Sequence, residues 1–260
     1  MNSIDQKLQQ IRNEKRLGLM THVVVGYPTL PETEKIVELM VKTGVDMVEL
    51  QIPFSDPLAD GPTIMKACEK SLENGTKVKD AFGLASRLTK KISIPLLFMA
   101  YFNNVFQYST KKFCQDAKKA GISGLIVPDI PLEEEEKEHF TAYCEEFGLH
   151  AIRVISPAST DERLKKNAKV AKGFVYATAR QGITGAKSSL DPKLISFLNK
   201  VKKEYKVPIA VGFGISKKEH LKALKPFADM AVIGSAVIDK ISSGQNYLES
   251  VEYFLKELIQ

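Results

Sequence analysis

Two carboxylates near one apolar segment are the residues of this chain best suited to acid–base chemistry. Glu49 lies inside the apolar run 47–52, and Asp60 follows on the loop that leaves this run. Burying an unpaired carboxylate costs free energy, and chains tolerate that cost mainly where the charge is used. A desolvated carboxyl group could donate a proton at neutral pH. The alternative for Glu49 is a structural carboxylate paired with a buried lysine or arginine, and spacing alone leaves both readings open.

Asp60 has a second interpretation of its own. The run Asp60-Gly61-Pro62-Thr63 resembles a helix start, with an acidic N-cap and a proline in the first turn. Taken by itself, this pattern favours capping over chemistry for Asp60.

Glycine-rich segments follow three of the later apolar runs. Residues 182–185 read Gly-Ile-Thr-Gly, residues 212–216 read Gly-Phe-Gly-Ile-Ser, and residues 234–236 read Gly-Ser-Ala. Glycines let backbone N–H groups approach an anion, and a helix N-terminus adds partial positive charge. The second and third segments therefore predict a phosphate site, and the first suits a mobile lid or a plain connection.

Apolar runs alternate with longer amphipathic runs along the chain. Eight such repeats in about 250 residues predict a closed parallel (β/α)8 barrel, with extra helices at both ends, as one domain over residues 1–260. A doubly wound open sheet is the alternative, but no G-x-G-x-x-G follows the first strand. The predicted strands are 19–25, 47–52, 95–99, 124–127, 150–155, 174–177, 208–211 and 230–233. The predicted helices are 4–14, 32–43, 63–74, 78–90, 110–120, 132–147, 161–171, 192–205, 217–224, 236–241 and 247–259.

The barrel would bring the candidate residues together. Active sites of such barrels lie where strands end and βα loops begin. Alternation places Met47, Glu49 and Gln51 on one face of the second strand. Because the apolar face should meet the helices, Glu49 is predicted to point into the barrel mouth.

Composition excludes several other classes of protein. The net charge of +6 suits an anionic small substrate, and lysines at helical spacing with no nucleic-acid motif argue against nucleic acid. The three cysteines are far apart, as expected for reduced thiols in a cytoplasmic protein. No apolar run approaches the roughly 20 residues of a membrane span, and the first residues lack a signal peptide's apolar core. The four histidines are scattered, so no metal site is predicted.

Over nearly its whole length the chain resembles the α subunit of tryptophan synthase. The resemblance rests on seven blocks in order, of which P-F-S-D-P-L-A-D-G-P-T-I at 53–64 is the most specific. The others are V-E-L at 48–50, V-P-D-I-P at 127–131, T-D-E-R at 160–163, G-I-T-G-A at 182–186, G-F-G-I-S at 212–216 and G-S-A at 234–236.

The resemblance implies a barrel lyase that cleaves indole-3-glycerol phosphate to indole and glyceraldehyde 3-phosphate. It implies that Glu49 moves the protons and that Asp60 accepts the indole N–H, which reverses the capping preference. Tyr176 matches a tyrosine beside the catalytic glutamate, and Thr184 matches a lid threonine that closes toward the catalytic aspartate. The family's phosphate cradle is matched by Gly185, Gly212, Phe213, Gly214, Gly234 and Ser235.

The resemblance also implies a partner. The family passes indole to a β subunit that carries pyridoxal phosphate, in an α2β2 complex, and the α subunit itself uses no cofactor. A free-standing lyase that releases indole is one alternative. A non-catalytic subunit that only activates β is another, and intact Glu49 and Asp60 argue against it.

Several positions depart from the family pattern. Gln51 replaces a usual glycine, and Met65 replaces a usual glutamine. Tyr27 replaces a common aspartate in a loop expected to face the β subunit. His22 stands where the family generally has an apolar or aromatic residue near the indole, and we expect it to pack rather than stack on the substrate.

Overall fold

A closed barrel of parallel strands forms the centre of the molecule. The computed structural model describes residues 1–178, 190–212 and 214–259. Within these residues eight strands pair in sequence order, and β1 pairs with β8 to close the ring. This confirms the predicted (β/α)8 barrel. The strands are β1 Gly18–Val24, β2 Met47–Gln51, β3 Leu96–Met99, β4 Gly124–Ile126, β5 His150–Ile155, β6 Val175–Thr178, β7 Ile209–Gly212 and β8 Met230–Ile233.

Alternation along the strands separates an inner from an outer core. Met20 of β1 and Met47 of β2 point inward, whereas Val23 and Val48 pack outward against the helices. Ile4 and Leu8 of the first helix join the inner cluster, so this helix covers the N-terminal end of the barrel. We call this covered end the floor and the opposite end, where the strands finish, the mouth.

Helices surround the barrel in the described part of the chain. Those at the two chain ends, α1 and α13, are the extra helices that the sequence predicted. None of the described helices is both long and apolar enough to cross a membrane. The helices are α1 Ser3–Asn13, α2 Leu30–Lys42, α3 Pro62–Glu73, α4 Val78–Leu88, α5 Phe102–Tyr108, α6 Thr110–Lys119, α7 Glu135–Glu138, α8 Phe140–Glu146, α9 Asp161–Val170, α10 Pro192–Glu204, α11 Lys218–Leu224, α12 Ser235–Ile241 and α13 Tyr247–Ile259.

Two helical regions differ from the sequence prediction. Helix α5 was not predicted, because its seven residues are too few to show a helical period. The single helix predicted over 132–147 is instead a 3-10 turn followed by α7 and α8, and His139 separates these two helices with a left-handed φ of 51°. The carboxylate of Glu135 accepts the N–H groups of Thr141 and Ala142, which starts the new helix.

Candidate active site

A cavity of about 1290 Å³ opens at the mouth of the barrel. Glu49 and Asp60 line it on one side, and Tyr176 lines it from β6. Gly212 and Gly234, which lie where β7 and β8 finish, line it as well. Its volume exceeds the roughly 300–1,000 Å³ of ordinary small-molecule sites, so the mouth can hold a substrate with a ring and a phosphate ester.

Glu49 sits at the bottom of this cavity. Its position in the middle of β2 leaves only 1% of the residue exposed. Oε1 lies 2.7 Å from Nδ1 of His22, and Oε2 has no hydrogen-bond partner among the described residues. Neither a lysine nor an arginine pairs with it there, so the alternative of a carboxylate neutralised by a permanent cation does not describe Glu49.

Asp60 lies on the loop between β2 and α3. Its Oδ2 accepts hydrogen bonds from Gln51 Nε2 at 2.7 Å and from the Tyr101 hydroxyl at 3.0 Å. The N-cap of α3 is Gly61, without a side-chain cap, and Pro62 begins the helix. The capping interpretation of Asp60 is therefore wrong, whereas the first-turn proline is confirmed. Burial and then the charge of Asp60 raise the pKa of Tyr101, so this phenol stays a hydrogen-bond donor.

Tyr176 lines the cavity from β6. Its ring packs so close to Gly212 that a Cβ at that position would lie 2.9 Å from both Cε2 and the hydroxyl oxygen. Glycine at 212 is therefore a steric requirement of the ring's position. Burial, followed by the charges of Glu49 and Asp60, raises the pKa of Tyr176 well above its ordinary value, which keeps the hydroxyl neutral.

The glycine segments line the same cavity as Asp60. Gly214 and Ser235 line the mouth together with Gly212 and Gly234. Ser235 begins α12, and Gly234 is its N-cap. Three of the residues predicted for the site, Thr184, Gly185 and Phe213, lie outside the described residues.

His22 is a site residue whose hydrogen bond the sequence did not predict. It packs in the interior as expected, only 3% exposed, and it also hydrogen-bonds the carboxylate of Glu49. Burial by itself lowers the pKa of the imidazole, but Glu49, with smaller contributions from Asp60 and Gln51, makes the net shift upward. The available signal was register: His22 and Glu49 occupy inward positions of neighbouring strands.

Other cavity residues carried little signal in the sequence. Lys193 lines the cavity from the start of α10, where Asp191 caps the helix by accepting the Lys193 N–H at 2.8 Å. Ser156 lines it from the end of β5. Among the described residues no group of three or more histidines, cysteines and acidic residues could hold a metal ion.

Comparison with known proteins identifies the family. Residues 8–260 match the family model described as tryptophan synthase alpha chain. The tryptophan synthase alpha chain of Desulfotalea psychrophila is 47% identical over 91% of this chain and 92% of its own length. That of Dehalococcoides mccartyi is 42% identical over 95% and 96%.

Solved structures agree with this assignment. A structure of Mycobacterium tuberculosis tryptophan synthase superposes with a TM-score of 0.89 at 30% identity, covering 98% of this chain and 96% of the other. The tryptophan synthase subunit alpha of Legionella pneumophila gives a TM-score of 0.90 at 29% identity, covering 99% and 97%. The chain therefore belongs to the tryptophan synthase alpha chain family, and like its relatives it is a lyase that cleaves indole-3-glycerol phosphate.

Proposed function

We propose that Glu49 and Asp60 carry out this cleavage at the barrel mouth, releasing indole and glyceraldehyde 3-phosphate. One observation carries the proposal. A buried carboxylate with one oxygen free faces the same cavity as a second carboxylate and the glycine segments of β7 and β8. The two ends of the substrate then have complementary groups within one cavity.

Glu49 transfers two protons in turn, giving one and then taking another. Its O–H bond breaks as the proton is given to C3 of the indole, which leaves a cationic ring. The resulting carboxylate then takes the proton of the side-chain hydroxyl, and the carbon–carbon bond to C3 breaks. The bonding electrons return to the ring, so indole and an aldehyde form and Glu49 is protonated again. No external acid or base is consumed, which suits a buried site with a single free oxygen.

Asp60 stabilises the cation between these steps. Positive charge develops at the indole nitrogen, and a carboxylate that accepts its N–H offsets that charge in a site sheltered from water. Gln51 and Tyr101 both hold Oδ2 of Asp60. These two donors fix the carboxylate's orientation and leave Oδ1 to accept the substrate.

The phosphate end of the substrate belongs at the glycine segments. We assign it to Gly212, Gly214, Gly234 and Ser235, which line the same cavity as Asp60. Backbone N–H groups and the Ser235 hydroxyl would bind the anion there. Thr184, Gly185 and Phe213, named by the family resemblance, would complete the lid and the cradle. Tyr176 would pack beside the reacting carbon.

The same family membership supports a partner. We propose that the chain binds a tryptophan synthase β subunit in an α2β2 complex and transfers indole to it. We expect no cofactor on this chain, because the proposed chemistry needs only proton transfers. We also propose that residues 1–260 act as one domain, since β1 and β8 from opposite ends of the chain pair directly.

An indole-release assay on indole-3-glycerol phosphate tests the proposal. The purified chain should release indole without any added cofactor. Glu49→Gln, which keeps the shape of the side chain and removes its proton, should lower the rate by roughly 10³-fold. Its circular dichroism and melting temperature should match the parent protein. Near-parental turnover in this variant would show that another group moves the proton.

Adding the β subunit from the same source separates the remaining alternatives. A large rise in lyase rate together with co-purification identifies a working member of the complex. Indole release that does not respond to β identifies a free-standing lyase.

A further inference from the structure

We propose that His22 is a positioning residue of this lyase, whose ring fixes one oxygen of Glu49 and shares a proton with it so that the other oxygen faces the substrate. The inference rests on the proposed role of Glu49. It concerns a position where this chain departs from the residue type expected for its family.

The geometry defines which oxygen is held. Nδ1 of His22 lies 2.7 Å from Oε1 of Glu49, within ordinary hydrogen-bond distance. The two residues lie opposite each other on β1 and β2, so the strand pairing fixes their separation. Since Oε1 is occupied, only Oε2 of Glu49 is free to exchange a proton with substrate.

The rest of the His22 ring is confined. Its Cβ and Cγ lie 3.6 and 3.8 Å from the position that a Cβ of residue 234 would take, and Ile64 Cδ1 lies 3.7 Å from that same position. The loop after β8 thus borders the ring. The strand register and this neighbour together place the ring beside Glu49.

The titratable groups that act most strongly on His22 are two carboxylates, Glu49 of β2 and Asp60 of the loop after β2. Tyr176, a neutral phenol, faces Glu49 from β6. Lys193 lines the same cavity from the start of α10, together with Asp191. Neither β8 nor α3 supplies a charged residue to the cavity lining. The two carboxylates favour a proton on the pair.

Gln51 extends the arrangement toward the second carboxylate. Its amide donates to Asp60 Oδ2, and its Oε1 has no hydrogen-bond partner among the described residues. His22 Nε2 is likewise buried without a partner there. Gln51 also contributes to the raised pKa of His22, after Glu49 and Asp60. Gln51 thus contacts Asp60 from the same strand that carries Glu49.

The shared proton has a consequence for pH dependence. When the pair carries a single proton, that proton can sit on His22 or on Glu49. The pair therefore holds the proton at least as strongly as Glu49 would hold it beside a residue that cannot ionise. Activity requires that proton. The pH at which kcat falls on the alkaline side is therefore higher with His22 than with a residue that cannot ionise. Replacing His22 by a residue that cannot ionise should move the alkaline limb toward lower pH.

His22→Asn is the informative variant, because asparagine keeps a hydrogen-bond donor close to the position of Nδ1. In single-turnover assays on indole-3-glycerol phosphate, its alkaline limb should lie at least half a pH unit below that of the parent. His150→Asn is the matched control. His150 also pairs with a carboxylate, Asp5 at 2.9 Å, but does so at the barrel floor. Its pH profile should coincide with that of the parent.

A titration of the His22 ring by nitrogen NMR gives a readout independent of activity. In the parent protein the pKa of His22 should lie above its ordinary value of 6.5. In Glu49→Gln the pKa of His22 should fall, because burial remains while the charge and hydrogen bond of Glu49 are gone. A His22 pKa unaffected by Glu49→Gln, or an unmoved alkaline limb in His22→Asn, overturns the inference while the lyase assignment stands. Absence of indole release by the parent would instead refute the proposed function, and the titration would still decide whether the pair shares a proton.

Discussion

Two buried carboxylates lie three residues apart in this chain, and their surroundings differ completely. Asp46 precedes β2 at the floor, and both of its oxygens accept hydrogen bonds from Arg16, at 2.6 Å each. Its Oδ2 also accepts the N–H of Leu19. Glu49, at the mouth side of the same strand, has one partner for one oxygen and none described for the other.

The difference teaches what marks a functional carboxylate. Burial is shared by both residues and so does not separate them. A buried acid whose oxygens are all occupied by a guanidinium and a backbone N–H is structural, and it ties β1 to β2 at the floor. In a buried acid with one oxygen open toward a cavity, no protein group offsets the desolvation cost of that oxygen. Substrate binding can supply the missing interaction.

Asp60 extends the comparison to a second carboxylate at the mouth. Both side-chain donors described for Asp60 bind its Oδ2. Asp60 therefore resembles Glu49, in which one oxygen has a partner and the other does not. Open oxygens thus collect at the mouth, and fully paired ones at the floor. Substitutions at the two ends should therefore separate effects on rate from effects on stability.

After Glu49→Gln, the largest effect on rate is expected at Asp60. Asp60→Asn keeps the shape of the side chain but removes the negative charge that offsets the cationic ring. We expect kcat to fall by roughly 10²-fold, because loss of one well-placed electrostatic interaction typically costs that much. The measurement is the steady-state lyase rate over a range of substrate concentrations.

Asp56 offers a matched control for that experiment. It lies on the same loop, is exposed, and hydrogen-bonds Ser55 beside it. Asp56→Asn should leave the rate close to that of the parent. If Asp60→Asn were slowed no more than Asp56→Asn, the charge of Asp60 would not be used in the reaction.

How far could this comparison be predicted from the sequence? Alternation within β2 correctly placed Glu49 inside the barrel, because one buried face fixes the register of a strand. Eight repeats predicted the barrel, and hence that Asp60 and the glycine segments share one end. These inferences use local periodicity and known barrel geometry.

The partners of the carboxylates were not predictable in the same way. Asp60 matched a helix N-cap locally, but Tyr101, 41 residues later, draws its side chain elsewhere. Arg16 reaches Asp46 across 30 residues, and His22 reaches Glu49 across 27. Which oxygen is open depends on such long-range contacts, and neither propensity nor spacing encodes them.

A smaller effect is expected when a charge is added at the mouth. Gly234→Asp places a carboxylate beside the proposed phosphate position, and like charge should raise KM by about tenfold, or about 1.4 kcal/mol. A side chain fits there, because a Cβ would make ordinary contacts at 3.6 Å or more. Gly234→Asn has the same size without the charge and should raise KM less. Equal KM values for the two variants would contradict the phosphate assignment.

The smallest effect on rate, and the clearest on stability, is expected at the floor. Asp46→Asn removes the buried one of the two anions that Arg16 contacts. Arg16 is 37% exposed and keeps Glu14, so water and that pair recover part of the lost interaction. We expect unfolding free energy to fall by about 2 kcal/mol, or a melting temperature lower by roughly 4–8 °C. The lyase rate of the folded variant should equal that of the parent.

Glu49→Gln supplies the opposite half of this test. Its free oxygen makes no bond within the described residues, and its held oxygen can still accept from His22 once the charge is gone. Thermal unfolding should therefore be nearly unchanged while activity is lost. If Glu49→Gln unfolded as readily as Asp46→Asn, the open oxygen would be contributing to stability as much as a paired one. Paired carboxylates at the floor would then contribute no more to stability than the open carboxylate at the mouth, and the proposed difference between the two ends would be wrong.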